Sequence, residues 1–291
     1  MTQFIANILI TATNIALLAV AFQLIYAVRR AYDFSFSTLY LAAPYIVLWL
    51  SRSVDLPFWV SVSVGLALTL ALAAIMDVTL YRSLQTKRAP PLVTMLASFG
   101  VYLIAQNVIA AIFGSEARTL RAWGLAPPLE IGGARLTNLQ AISTFCAICG
   151  VALALIYQRF TRAGRLLRAA TTNVALATAI GIPIKRIITT GFLVAAALVT
   201  LAAILVGLEI DLTPTTGFQA LVLAVTACLI GGIDNAIGAV VGAVFVALGQ
   251  EAGVWIFGAQ WSGTTVYALL LLVLFIRRSG LISGPNLRYG T

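Results

Sequence analysis

Ile187-Ile-Thr-Thr-Gly-Phe-Leu-Val-Ala-Ala-Ala-Leu-Val-Thr-Leu-Ala-Ala-Ile-Leu-Val-Gly207 runs for 21 residues without a charge. As a helix rising 1.5 Å per residue it reaches about 31 Å, the thickness of a bilayer's hydrocarbon core. Its continuous rather than alternating apolar character argues against a half-buried strand, and in lipid a helix satisfies its backbone groups from within. Comparable runs lie at Phe4–Val28, Phe58–Leu80, Leu92–Phe113 and Leu139–Tyr157, with a shorter one at Thr264–Ile276. Less regular apolar pieces lie between them at Phe36–Leu50, Phe218–Ile230 and Ala236–Gly249. With 61% hydrophobic and 9% charged residues, a chain of 291 cannot hide its apolar surface in one soluble core. The expected fold is all-α: a polytopic integral membrane protein of about eight or nine transmembrane or half-membrane helices. It forms one domain over residues 1–291. The first run is too long for a signal-peptide core and has no basic residue ahead of it, so it is expected to stay as an anchor despite the cleavage-like Ala19-Val20-Ala21.

Lysine and arginine set which side each loop occupies. Placing Arg29, Arg30, Arg82, Lys87, Arg88, Arg159, Arg162, Arg165, Arg168, Lys185, Arg186, Arg277, Arg278 and Arg288 inside accounts for 14 of the 18 cations. Only Arg52, Arg118, Arg121 and Arg135 then fall outside. The N-terminus is expected outside and the C-terminus in the cytoplasm of a bacterial-type inner membrane. The same distribution accounts for the net charge of +9 without nucleic-acid binding.

An odd number of crossings requires all three irregular pieces to cross, yet Phe218–Ile230 and Ala236–Gly249 reach only about 20 Å as helices. Between them, Gly231 and Gly232 end one helix while Asp234 or Asn235 caps the next. Two readings stay open: half-helices whose free ends build a solute site, or a cytoplasmic hairpin between two tilted crossings. Gly238-x-x-x-Gly242 and Gly249-x-x-x-Gly253 are spacings at which helices approach closely, and packing is expected there rather than chemistry.

Catalysis is not expected. The chain has no histidine, the usual general base and metal ligand. Cys146-x-x-Cys149 and Cys228 lie in apolar runs, where cysteine behaves as a small hydrophobe. Neither Lys87 nor Lys185 follows glycine, so no phosphate-binding loop of the Walker type exists and any ATP hydrolysis belongs to another polypeptide. No cofactor and no metal are expected. The candidate solute pathway is marked by polar residues that lipid penalises: Asp33, Ser35, Ser37 and Thr38, and then Gly231, Gly232, Asp234 and Asn235. Asp77, five residues before Arg82, is expected to snorkel to the inner surface. Gln106 and Asn107 are expected to bond neighbouring helices.

Residues 158–186 form a basic loop between two apolar runs. Within it Asn173 is suited to cap a two-turn helix from Val174 to Ile180, Gly181 to adopt a left-handed backbone, and Pro183 to stop continuation. The small faces of Ala175, Ala177 and Ala179 suit insertion into a groove on another protein, with membrane lipid as the competing partner for the arginines.

These residues resemble the cytoplasmic coupling loop of permease subunits of ABC importers for branched-chain amino acids and related solutes, including urea-type permeases. The family pattern T-x-x-G-x-x-x-R-A followed by A-x-x-x-G-I is matched by Thr161, Gly164, Arg168, Ala169, Ala177, Gly181 and Ile182. A second pattern, G-G-x-x-x-x-x-G-A-x-x-G, is matched by Gly231, Gly232, Gly238, Ala239 and Gly242. The resemblance implies a second permease subunit, identical or different, two cytoplasmic ATP-binding subunits and an extracytoplasmic solute-binding protein. It also implies that Thr161, Arg162, Gly164, Arg165, Arg168, Ala169, Asn173, Ala177, Gly181 and Ile182 couple the chain to its ATPases. The chain departs from the family where N-F-A-H-G-E-F is usual, reading Asp33-Phe34-Ser35-Phe36-Ser37-Thr38-Leu39, so leucine, isoleucine and valine are not carried over as solutes. The expected cargo is a small polar solute: an amino acid, an amide or a urea-like molecule. A self-sufficient secondary transporter or channel with interrupted helices is the alternative.

Overall fold

A computed structural model of the protein describes residues 2–87, 89–120, 129–131, 134–172 and 174–276. Twelve helices are described: α1 (Thr2–Arg29), α2 (Ser35–Arg52), α3 (Phe58–Met76), α4 (Arg82–Thr86), α5 (Pro91–Phe113), α6 (Asn138–Phe160), α7 (Arg162–Thr172), α8 (Val174–Ala179), α9 (Ile184–Glu209), α10 (Thr216–Gly231), α11 (Ala236–Phe257) and α12 (Ser262–Ile276). Among the described residues, six are long and apolar enough to cross a membrane, counting α3 and α4 as the single rod Phe58–Thr86. The all-α expectation holds, with one small addition: β1 (Leu129–Ile131) and β2 (Ala134–Leu136) pair antiparallel in the loop before α6.

α1 lies at the centre, packed against α6, α9, α10 and α11. α2 fills the space bounded by α3, α5, α9 and α10, and its side chains from Ser35 to Tyr45 are all buried. The outer helices bury little of themselves; Leu103, Ile104, Val108 and Ile112 of α5 and Phe275 of α12 point outward. Such an inside-out distribution of large apolar side chains suits hydrocarbon as the surrounding solvent.

The rod from Phe58 to Thr86 contains a π turn, Asp77–Tyr81. Its buried residues explain the turn. Ser61, Gly65, Thr69, Ala73, Asp77 and Tyr81 recur at every fourth position and all face inward. On a regular α-helix a step of four drifts about 40° round the axis. The wider turn takes up part of that drift and keeps Asp77 and Tyr81 in line with the residues above them. Asp77 is therefore 1% exposed, contrary to the snorkelling expectation.

Two further expectations are corrected. α11 does not stop at Gly249 but continues to Phe257, giving 22 residues and about 33 Å of helix. Gly249 and Gly253 are the close-packing positions their spacing suggests, seating Leu269 and Thr265 of α12, and Glu251 accepts a hydrogen bond from Thr11 of α1 at 3.1 Å. Asn107 does not bind a neighbouring helix; its amide donates to Leu103 one turn back at 2.7 Å.

Between α10 and α11 the turn forms as its residues dictate. Gly232, at φ 110°, ends α10, and Asn235 caps α11 by accepting from the Ile237 amide at 3.0 Å. The two helices then run so close that a Cβ on Gly231 would fall 1.7 Å from the Gly238 carbonyl oxygen, and one on Gly242 1.9 Å from that of Ala227. The second glycine pattern is thus a backbone-to-backbone contact.

Candidate functional site

The polar residues around the start of α2 come together as one buried cluster. Asp33 is 1% exposed; its Oδ1 accepts from the Ser35 amide at 2.8 Å and the Tyr81 hydroxyl at 2.5 Å. Arg29, the last residue of α1, donates from Nη2 to Asp77 Oδ1 at 2.7 Å, and its Nε lies 4.0 Å from Asp33 Oδ2. The guanidinium packs against the rings of Tyr81 and Phe192, 3.7 and 4.4 Å from their centroids. Thr189 of α9 completes the group by donating to Asp77 Oδ2 at 2.7 Å, with Arg82 Nε 3.5 Å from the same oxygen. Charges at this depth persist only when paired and hydrogen-bonded, and cation–π contact with two rings adds to the pairing.

Ser35, Ser37 and Thr38 are buried in the first turn of α2. Asp33 Oδ2 and the Ser37 hydroxyl have no hydrogen-bond partner among the described residues. Beside them, Gly217 at the start of α10 approaches so closely that a Cβ there would lie 2.6 Å from the Ser37 carbonyl oxygen. Phe34 stacks on Phe218 at 6.4 Å and meets Phe99 edge-on at 4.8 Å. Phe218 and Gln219 are exposed, so Phe34 links the start of α2 to the subunit surface along this aromatic edge.

The second set of candidates is not brought to this cluster. Gly231 and Gly232 are buried at the α10–α11 crossing, whereas the Asp234 side chain is 64% exposed and pairs with Arg30. Arg29 and Tyr81 were not singled out by sequence. The signal available for Arg29 was Asp33 four residues on, a charge pair at the spacing of neighbours on a helix face.

The 158–186 loop folds as two helices. Thr161 caps α7: its hydroxyl accepts from the Gly164 amide at 3.0 Å and donates to the Tyr157 carbonyl at 2.6 Å. Gly164 lets α7 turn back onto α6, since a Cβ there would fall 2.1 Å from the Tyr157 carbonyl oxygen. Leu167 and Ala170 bury the inner face of α7. Arg162, Arg165, Leu166, Arg168 and Ala169 occupy its outer face. α8 follows, ended by Gly181 at φ 80°, and α9 begins directly after Pro183, as expected. Asn173 lies outside the described residues.

One expectation for α8 is corrected: Ala177 is 2% exposed and faces its own chain. The outward side is marked by Leu176 and Ile180, 61% and 68% exposed. Ile182 packs against the core. Thr161, Gly164 and Ala177 thus shape the loop, and a basic, partly apolar surface remains outside. Thr161→Ala is expected to destabilise the α6–α7 junction by about 1 kcal/mol. Hydrogen exchange at the amides of residues 162–165 should accelerate while the middle of α6 is unchanged.

The family model described as "Branched-chain amino acid transport system / permease component" matches residues 4–275. The high-affinity branched-chain amino acid transport system permease protein BraD of Pseudomonas aeruginosa is 26% identical, over 98% of this chain and 96% of its own length. The corresponding protein LivH of Escherichia coli K12 is 23% identical, over 93% of this chain and 92% of its own. Among solved structures, PsaBC from Streptococcus pneumoniae in complex with Fab shares the fold with a TM-score of 0.53 at 16% identity, covering 94% of this chain and 92% of that one.

Proposed function

Because this chain belongs to the branched-chain amino acid transport permease family, we propose that it is a membrane subunit of an ABC importer for a small polar solute: an amino acid, an amide or a urea-like molecule. The observation that carries the reading is the braced, outward-facing surface of α7 and α8. A loop exposed only to water has no need of a capped helix seated on a glycine contact with Leu166, Leu176 and Ile180 turned outward. Such a surface suits a groove on a cytoplasmic ATPase, with Arg162, Arg165 and Arg168 meeting acidic groups at its rim and Ala169, Gly181 and Ile182 keeping the backbone compact.

Two ATP-binding subunits, a second permease subunit and an extracytoplasmic solute-binding protein complete the proposed assembly in the inner membrane. The N-terminus is outside and the C-terminus inside, the arrangement that leaves 14 of 18 cations cytoplasmic. ATP binds the closed pair of ATPases better than the open pair, and that difference in affinity biases the membrane subunits between inward- and outward-facing states. The solute path is proposed to run along the Phe34–Phe218–Gln219 edge, with Asp33, Ser35, Ser37 and Thr38 behind it. At 23–26% identity, and with Asp33–Leu39 differing from the family pattern, the relatives' named solutes are not assigned to this chain.

Reversing two rim charges tests the docking. Like charges set against each other at an interface cost several kcal/mol, so Arg162→Glu with Arg165→Glu is expected to lower uptake at least roughly tenfold. Uptake of labelled leucine, glutamine and urea is measured in cells, with the amount of protein in the membrane as the control. Unchanged uptake at unchanged membrane level would instead favour a carrier that works without an ATPase.

A further inference from the structure

Two consecutive arginines end in different surroundings. Arg29 is buried with Asp77; Arg30, at φ 53°, turns outward. A non-glycine residue in the left-handed region persists only where its surroundings hold it. Arg30 is held by two contacts of 2.8 Å: Nη1 donates to Asp234 Oδ1, and Nη2 to the Thr171 carbonyl. Thr171 lies in the last turn of α7, and Asp234 lies in the turn between α10 and α11.

We propose that Arg30 is a positioning residue that carries movement of α7 to the α10–α11 hairpin, and through it to the start of α10 beside the proposed solute path. This rests on reading the 158–186 loop as the ATPase docking surface. A guanidinium holds two acceptors at once, in a geometry that the single ammonium of lysine does not reproduce. The Arg30–Asp234 pair is exposed, 45% and 64% by side chain, and exposed pairs break and reform at little cost. The buried Arg29–Asp77 pair next to it does not, so α1 serves as the fixed post and Arg30 as the movable tie. The hairpin is stiff because Gly231, Gly238 and Gly242 bring backbone against backbone. A displacement at Asp234 is therefore passed along α10 to Gly217, which touches Ser37, and to Phe218, stacked on Phe34.

Spatial connection becomes coupling only when both ends respond together. The complex, purified through a tag on this chain with its ATPases, is compared by hydrogen-exchange mass spectrometry with and without ATP and vanadate, which trap it with ADP and vanadate bound. The parent is expected to change at residues 161–182 and at 213–220. Arg30→Gly removes the side chain without straining a left-handed backbone. In that variant the change at 161–182 persists while the change at 213–220 falls roughly two- to fivefold, the most that an exposed pair of this kind supports. Arg30→Lys fails to restore it. Asp234→Asn alone weakens it, and in the Arg30→Gly background adds nothing, since both act on one contact. An undiminished response at 213–220 in Arg30→Gly overturns the proposal, as does additivity with Asp234→Asn or a parent that responds only at 161–182. A parent silent at 161–182 removes the docking reading itself. If Arg30→Gly does not fold, Arg30→Lys and Asp234→Asn give the same comparison.

Discussion

Asp77→Ala is expected to lower the stability of the protein by about 3–5 kcal/mol, the cost of leaving a buried charge without its partner. The side chains of Arg29 and Asp77 are each only 2% exposed, so water cannot replace what is lost. Thr189 loses its acceptor as well, and with it the tie between the first turns of α9 and the π turn. Asp77→Asn keeps an oxygen for one donor and should lose less. The informative variant is Arg29→Met with Asp77→Leu and Asp33→Asn: replacing buried charges by uncharged side chains of similar size is often neutral or stabilising. It should recover most of the loss, because the Asp33 carboxylate, 4.0 Å from the Arg29 guanidinium, is not then left buried without a cation. Thermal unfolding of the detergent-purified chain measures all three. A combined variant no more stable than Asp77→Ala would mean that the charge cluster is not what holds these segments.

Gly231→Ala and Gly242→Ala should each cost at least about 3 kcal/mol, the upper end of what overpacking a core does. The added methyl meets the Gly238 carbonyl oxygen at 1.7 Å or the Ala227 carbonyl oxygen at 1.9 Å, and backbone cannot swing aside as a side chain can. Gly100→Ala is the control. Nothing lies within 4 Å of a Cβ there, and alanine is the better helix former by about 1 kcal/mol, so that variant should be unchanged or slightly more stable. The membrane level of each variant, with its unfolding midpoint, separates the two outcomes.

Much of the architecture was legible because hydrocarbon imposes a length and an apolar composition on any helix that crosses it. The long runs, the α10–α11 turn and the α8–Gly181–Pro183 stop all follow from residue types and spacing. The full extent of α11 did not, because the charge of Glu251 ends the apolar run, whereas in the fold Glu251 meets Thr11 and the glycines beside it seat α12. α7 was legible too, since Arg162, Arg165 and Arg168 recur at the three-residue spacing of one helix face, with Gly164, Leu167 and Ala170 inward at the same spacing; its seat on α6 through Thr161 and Gly164 was not. The polar patch at Asp33 was visible as a run of penalised residues. Its partners were not, since Arg29, Tyr81 and Thr189 come from segments far apart in sequence. Asp77 looked superficial because Arg82 follows it, and only the π turn draws it inward.

That turn makes the rod from Phe58 to Thr86 tolerant of some kinds of change and intolerant of others. A π turn holds more residues than an α turn, so along this helix chain length matters as much as residue identity. Substitutions between Val78 and Leu80 leave the register alone. Removing one residue between Val78 and Leu80 would let the turn close to regular α-helix with the flanking segments still facing the same way, because five residues of π turn sweep about as far round the axis as four of α-helix. Removing one from the regular helix above the turn would instead rotate everything below it by about 100°. Either the row from Ser61 to Ala73 or the pair beneath it would then leave the interior. Insertions and deletions above the turn therefore act on the arginine cluster before any of its side chains has been altered.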